Sequence, residues 1–208
     1  FHQNGKNLYS VYQTATGNGQ TGSAYGSPTL YNSNNQPSFP LEDIKSTVPD
    51  VKNVVLYTNG YQLPWGHLET LQAGEKKIKL EGARAGEDFF KMFSYKLAAG
   101  NAQTILKDMK GIAISRTVAQ SFFGSPEKAI GQSLRFENKL NFLVTGVFEN
   151  LPKNSSLQFD FLVNWEAQKK LLDFASGDVR SYIQLADNAD PEKTAARITQ
   201  YLNTRRPN

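Results

Sequence analysis

The chain has 208 residues, 39% of them hydrophobic and 20% charged, which excludes a disordered tail and a membrane bundle and leaves room for one large domain or two small ones. It has no cysteine, so disulfides and thiolate metal sites are excluded. Its net charge of +4 is small for this length, and no window interleaves dense Lys/Arg with aromatics, so the excess reads as a solvated surface and no nucleic-acid partner is expected.

Residues 8–12 alternate and are β-prone, so they read as a strand. Residues 14–38 are rich in Gly, Asn, Ser, Gln and Thr and read as loop, with a short helix near 28–31. A helix is expected from Pro40, a good first-turn residue, with Leu41, Ile44 and Val48 on one face and Pro49 as its stop. A strand follows at 51–58.

The middle has a different texture. Residues 62–71 and 76–83 read as strands around Ala73-Gly74-Glu75, the second alternating and wet on one face. A short aromatic helix is expected at 89–93, and 97–100 leads into a turn at Gly100-Asn101. A short buried strand at 112–114 comes next. Ser115 is placed to cap a helix whose apolar side is Val118, Ala119, Phe122 and Phe123, closed by Gly124. Strands are expected at 131–136 and 140–148, hinged at Asn138-Lys139.

The end returns to helix–strand alternation: a strand at 159–163, a helix at 165–175 and a strand at 182–185. Asp190 then caps a helix with Pro191 at its first position and Ala195, Ile198, Tyr201 and Leu202 on one face. A β-rich middle between two such ends suggests an insertion. No run of about 18 apolar residues exists, so no helical membrane span is expected within the chain. The polar start, without Met, reads as that of a segment of a longer protein.

The chemical motifs are weak. Gly17-Asn18-Gly19-Gln20-Thr21-Gly22 matches G-x-G-x-x-G, but a dinucleotide site needs a helix opening directly behind it, and Ser23 to Pro28 read as loop. His2 and His67 are the only histidines, too few for a zinc site without a carboxylate cluster. Glu87 and Asp88 are adjacent, so on a helix they diverge and read as first-turn charges. An enzyme would need a deep pocket gathering Glu87, His67 or Asp160 around a metal. No catalytic, cofactor-binding or metal-ligating residue is assigned, no cofactor is expected, and the domain is expected not to be an enzyme.

A series of blocks carries the strongest signal. In order they are Gly86-Glu87-Asp88-Phe89-Phe90-Lys91-Met92-Phe93, Leu97-Ala98-Ala99-Gly100-Asn101, the stretch from Ile112 to Gly124, Ala129-Ile130-Gly131-Gln132, Phe142 to Phe148, and Leu151-Pro152-Lys153-Asn154-Ser155. This series, with Val48-Pro49-Asp50-Val51-Lys52-Asn53-Val54 and the first strand, resembles the periplasmic core domain of MacB-like and FtsX-like ABC transporter permeases. The blocks are aromatics, turns and packing positions, with no set of reactive groups among them.

The resemblance implies an α+β fold with two subdomains. A discontinuous porter-like part would take residues 1–60 and 148–208 in strand–helix–strand units, and an inserted β-rich sabre-like part would take 61–147. It implies an extracytoplasmic domain at the inner membrane of a Gram-negative bacterium, facing the periplasm, a monomer or weak dimer when isolated. Expected partners are its own transmembrane helices, a cytoplasmic ABC ATPase acting through them, and a periplasmic adaptor with an outer-membrane channel. The expected role is mechanotransmission in export or efflux. The alternative from the residues alone is a free-standing extracytoplasmic binding or adhesion module.

Overall fold

The computed structural model describes residues 7–11, 13–17, 20–24, 30–31, 37–38, 40–59, 68–171 and 179–205. In chain order the elements are β1 (Leu8–Val11), β2 (Gln13–Gly17), β3 (Gln20–Ala24), β4 (Leu30–Tyr31), β5 (Pro37–Ser38), a 3₁₀ helix (Pro40–Ser46), β6 (Val51–Thr58), β7 (Leu68–Ala73), β8 (Lys76–Ala85), α1 (Phe89–Met92), β9 (Leu97–Gly100) and β10 (Gly111–Ser115). They continue with α2 (Arg116–Phe123), α3 (Pro126–Ala129), β11 (Ser133–Phe136), β12 (Leu140–Phe148), β13 (Phe161–Asn164), α4 (Trp165–Lys170), β14 (Arg180–Leu185) and α5 (Pro191–Arg205). The α+β class expected from the sequence holds. The chain divides into two compact units, one from Gly5–Leu56 with Asp178–Asn208, the other containing Tyr57–Gly177. β13 pairs with β8 and β10 and so ties residues 161–164 to the middle of the chain.

In the discontinuous unit, β1 pairs antiparallel with β14, from Leu8↔Gln184 to Val11↔Ser181, and β14 lies beside β6. The expected helix at Pro40 is a 3₁₀ helix, in which positions three apart eclipse, and Leu41 and Ile44 are both fully buried. They join Val48, Val51, Ile183, Leu185, Ile198 and Tyr201 in one apolar core. α5 starts as expected: Asp190 Oδ1 accepts from the N–H of Glu192 at 3.0 Å and of Lys193 at 3.2 Å. Its inner face differs from expectation at one position. Ala195 is exposed, and Thr194 is buried instead, because its hydroxyl donates to the Asp190 carbonyl at 2.7 Å and so enters the core satisfied.

Residues 14–38 hold more structure than the expected loop. β2 and β3 form an antiparallel hairpin from Gln13↔Ala24 to Gly17↔Gln20, and Leu30–Tyr31, expected in a helix, pairs as a strand with Pro37–Ser38. Backbone pairing overrides their weak propensity.

In the other unit the strands close on themselves. β8 pairs with β13, β13 with β10, β10 with β12, β12 with β11, β11 with β7, and β7 returns to β8, which makes a barrel. Inward-facing Leu71, Leu80, Ile112, Ile114, Leu134, Phe136, Phe142, Val144, Phe161 and Val163 fill it, and α2 adds Val118 and Ala119. β8 alternates as expected over residues 77–82; from Gly82 to Ala85 both faces are buried, where β13 pairs with it throughout and Thr58 and Tyr57 pair with Arg84 and Ala85. The β11–β12 hairpin turns at Glu137 and Asn138, one residue before the expected hinge. Both have positive φ (47° and 55°), and the Lys139 N–H donates to the Phe136 carbonyl at 2.9 Å, a type I′ turn whose twist matches a hairpin. β11 starts at Ser133 because Gln132 closes a turn onto the Ala129 carbonyl, and β13 starts at Phe161, later than expected.

α2 is capped as the sequence predicts. Ser115 Oγ accepts from the Val118 N–H at 3.3 Å, and Gly124 ends the helix at φ 84°, a conformation that costs a side chain and not glycine. The expected aromatic helix forms as α1. Phe89 stacks on Tyr57 and Tyr95, with ring centroids 5.8 and 5.5 Å apart, and meets Phe159 edge to face at 5.9 Å.

Candidate functional site

The residues the sequence singled out are not brought together. The G-x-G-x-x-G motif runs through the β2–β3 hairpin, with Gly17 paired to Gln20 and Gly22 to Ala15, so no helix N-terminus follows it to meet a pyrophosphate. His2 and His67 lie outside the described residues. Neither lies in the first turn as expected: Glu87 is exposed before α1, and Asp88 stands at its N-cap, where its carboxylate pairs with Lys91 at 2.7 Å. Asp160 serves the backbone: its Oδ2 accepts from the Glu81 N–H at 3.0 Å, and its own N–H donates to the Glu81 carbonyl at 2.7 Å. The Arg205 guanidinium stands 5.3 Å from the Tyr201 ring centroid, and Arg206 lies outside the described residues. Among the described residues, no three His, Cys, Asp or Glu side chains gather as a metal site would need. No described helix is long and apolar enough to cross a membrane.

What the structure does gather is a charged pair inside the barrel. On β7, Glu69 and Leu71 point inward; on β8, Leu80, Gly82 and Arg84 do the same, following the two-residue period. Arg84 Nη1 donates to Glu69 Oε2 at 2.6 Å, and Nη2 donates to Oε1, so the guanidinium grips both carboxylate oxygens. Both side chains are less than a tenth exposed. The Arg84 guanidinium also lies 5.8 Å from the ring centroid of Phe136 on β11, so one cation links three strands from within. Neither Glu69 nor Arg84 is marked as a site by any motif in the sequence. The signal of the pair was Gly82-Ala83-Arg84-Ala85, an arginine flanked by small residues where clean alternation breaks down.

Two other polar clusters tie elements together. Arg116 at the start of α2 makes two 2.7 Å bonds to Glu149 just after β12, and this guanidinium holds the Glu149 carboxyl below the usual carboxylate range. Asp50, just before β6, accepts from Arg197 and lies 3.2 Å from the buried hydroxyl oxygen of Thr194. On the outer barrel wall Thr70, Gln72, Lys77, Ile78, Lys79, Glu137 and Asn138 line a shallow open groove. In all three clusters an arginine is paired with a carboxylate, the chemistry of fastening.

The profile described as the MacB-like periplasmic core domain matches residues 2–201. The chain belongs to that family. A MacB-like periplasmic core domain is the extracytoplasmic module of an ABC transporter permease, which implies membrane and ATPase partners. Solved structures share the fold. A domain named for a permease protein of Porphyromonas gingivalis is 24% identical, with a TM-score of 0.61 over 79% of this chain and 75% of that one. The periplasmic region of MacB from Actinobacillus actinomycetemcomitans is 15% identical, with a TM-score of 0.57 over 78% and 71%. The extracellular domain of the ABC-type transporter YknZ from Gram-positive bacteria is 19% identical, with a TM-score of 0.54 over 78% and 81%. A search of curated proteins finds no match.

Proposed function

We infer that this MacB-like periplasmic core domain transmits motion rather than catalysing a reaction. ATP-driven movement of the permease's membrane helices would enter through the discontinuous, porter-like unit and reach partners or cargo outside the membrane, in export or efflux. The inserted unit would be the sabre-like part. The site would be the periplasmic face of a Gram-negative inner membrane, with an adaptor and an outer-membrane channel as the partners of a MacB-type assembly.

One observation carries the reading. The early strand β1 and the late strand β14 pair directly, so the segments nearest both ends of the family domain belong to one body. A displacement applied at both chain directions then acts on a single packed unit, and the reinforcement of that unit by Asp50, Arg197 and Thr194 suits a part that bears load. Asp160 is bound to backbone and Asp88 to a lysine, which supports a non-enzymatic role.

The test is amide exchange on the parent permease with its ATPase, in vesicles, with and without ATP. Nucleotide-dependent changes in β1, β14 and α5 are expected. If ATP alters exchange nowhere in the domain while hydrolysis proceeds, transmission through it is wrong.

A further inference from the structure

The barrel's ladders are unequal. β7 holds β8 along its whole length, from Leu68↔Glu81 to Ala73↔Lys76. On its other edge, among the described residues, β7 meets β11 only at Gln72↔Arg135 and Leu71↔Phe136. Beyond that pair, Glu137 does the work of a strand. Its N–H donates to the Thr70 carbonyl at 2.9 Å, and its side-chain carboxylate accepts from the Thr70 N–H. A residue at φ 47° cannot continue the β-ladder, so the carboxylate supplies the acceptor that the next carbonyl of a strand would have offered. The open groove crosses this line, with Thr70 and Gln72 of β7 and Lys77, Ile78 and Lys79 of β8 on one side and Glu137 and Asn138 on the other.

Behind the same line lies the Glu69–Arg84 pair, with Phe136 beside it. Buried charges regain hydration when exposed, so parting β7 from β11 exposes groups that water solvates well, unlike an apolar wall. The remaining walls of the barrel are lined by apolar residues such as Ile112, Ile114, Val144 and Val163.

We propose that the β7–β11 line is a built-in opening of the barrel, latched by Glu137, along which the β7–β8 hairpin swings outward as one piece. This rests on the ladder, the latch and the charged pair, and stands apart from the transport reading.

Site-resolved amide exchange on the full chain tests it. The Thr70, Gln72, Arg135 and Glu137 amides are expected to exchange at least about tenfold faster than those of Ile112 and Val144, through an opening smaller than global unfolding. Glu137→Ala keeps a side chain at the same φ but removes the acceptor. It is expected to speed the seam amides by a further factor of about ten, the value of one hydrogen bond to a charged group, while Ile112 and Val144 stay at wild-type rates. Glu137→Gln, which keeps an acceptor oxygen, is expected to remain within about threefold of wild type. Equal rates at seam and wall in the wild type, or an acceleration by Glu137→Ala shared by every barrel strand, would overturn the proposal.

Discussion

A Cβ on Gly82 would stand 2.1 Å from Glu69 Oε2, so the missing side chain on β8 is the space that the carboxylate on β7 occupies. The same Cβ would lie 2.3 Å from Cζ of Phe161, a fully buried ring. Gly82→Ala therefore has to displace both a paired charge and an aromatic. A loss of about 1–3 kcal/mol is expected from overpacking, read as a lower urea midpoint.

Removing one partner of the inner pair costs more than removing both. Arg84→Met leaves Glu69 charged and buried, and about 3–5 kcal/mol of destabilisation is expected. Adding Glu69→Leu to Arg84→Met is expected to recover most of that loss. Equilibrium denaturation of the two single variants and the double variant closes the cycle, and additive losses would show that the two charges do not depend on each other.

The cap of α2 offers a smaller, local effect. Ser115→Ala removes the acceptor for the Val118 N–H and is expected to cost about 1 kcal/mol. Ser115→Asp, another good capping residue, is expected to lose less. Thermal unfolding of both variants measures the difference.

Acid is expected to loosen the start of α5. The Lys193 N–H, and then that of Glu192, bond the Asp190 carboxylate and hold it below the usual aspartate range. A folded-state value below the unfolded one means that the stabilisation is fully present above the ordinary aspartate pKa of about 3.9 and is lost as pH falls through the depressed value. The Glu192 and Lys193 amide shifts, followed by NMR, are expected to titrate there. Asp190→Asn keeps a capping group and is expected to abolish that titration.

Much of the fold was legible because local chemistry and tertiary context agree. Ser115 and Gly124 around Val118 and Ala119, or Asp190-Pro191 before Ile198 and Tyr201, each carry a start, an inner face or a stop that packing then uses. The hairpin of β2 and β3 was not legible, since Gln, Thr, Gly and Ser form strands only when a partner strand is supplied. Barrel closure was equally hidden. It depends on Leu71 meeting Phe136, residues far apart in sequence, and no alternation within either strand reveals its neighbour. Glu69 was hidden for the opposite reason: a glutamate on a strand reads as a wet position unless its arginine, fifteen residues on, is known to point the same way.

The split of one unit across the chain also sets an order of assembly. Everything between Tyr57 and Gly177 is contiguous, so the barrel has all its strands once that stretch has been synthesised. Among the described residues β1 pairs only with β14, so Leu8 awaits Gln184. Closing so long a loop as a flexible chain is entropically costly, and a barrel that has already folded shortens the flexible path between the two strands. β1 thus precedes every strand of the barrel in the chain and is paired only after all of them have been made.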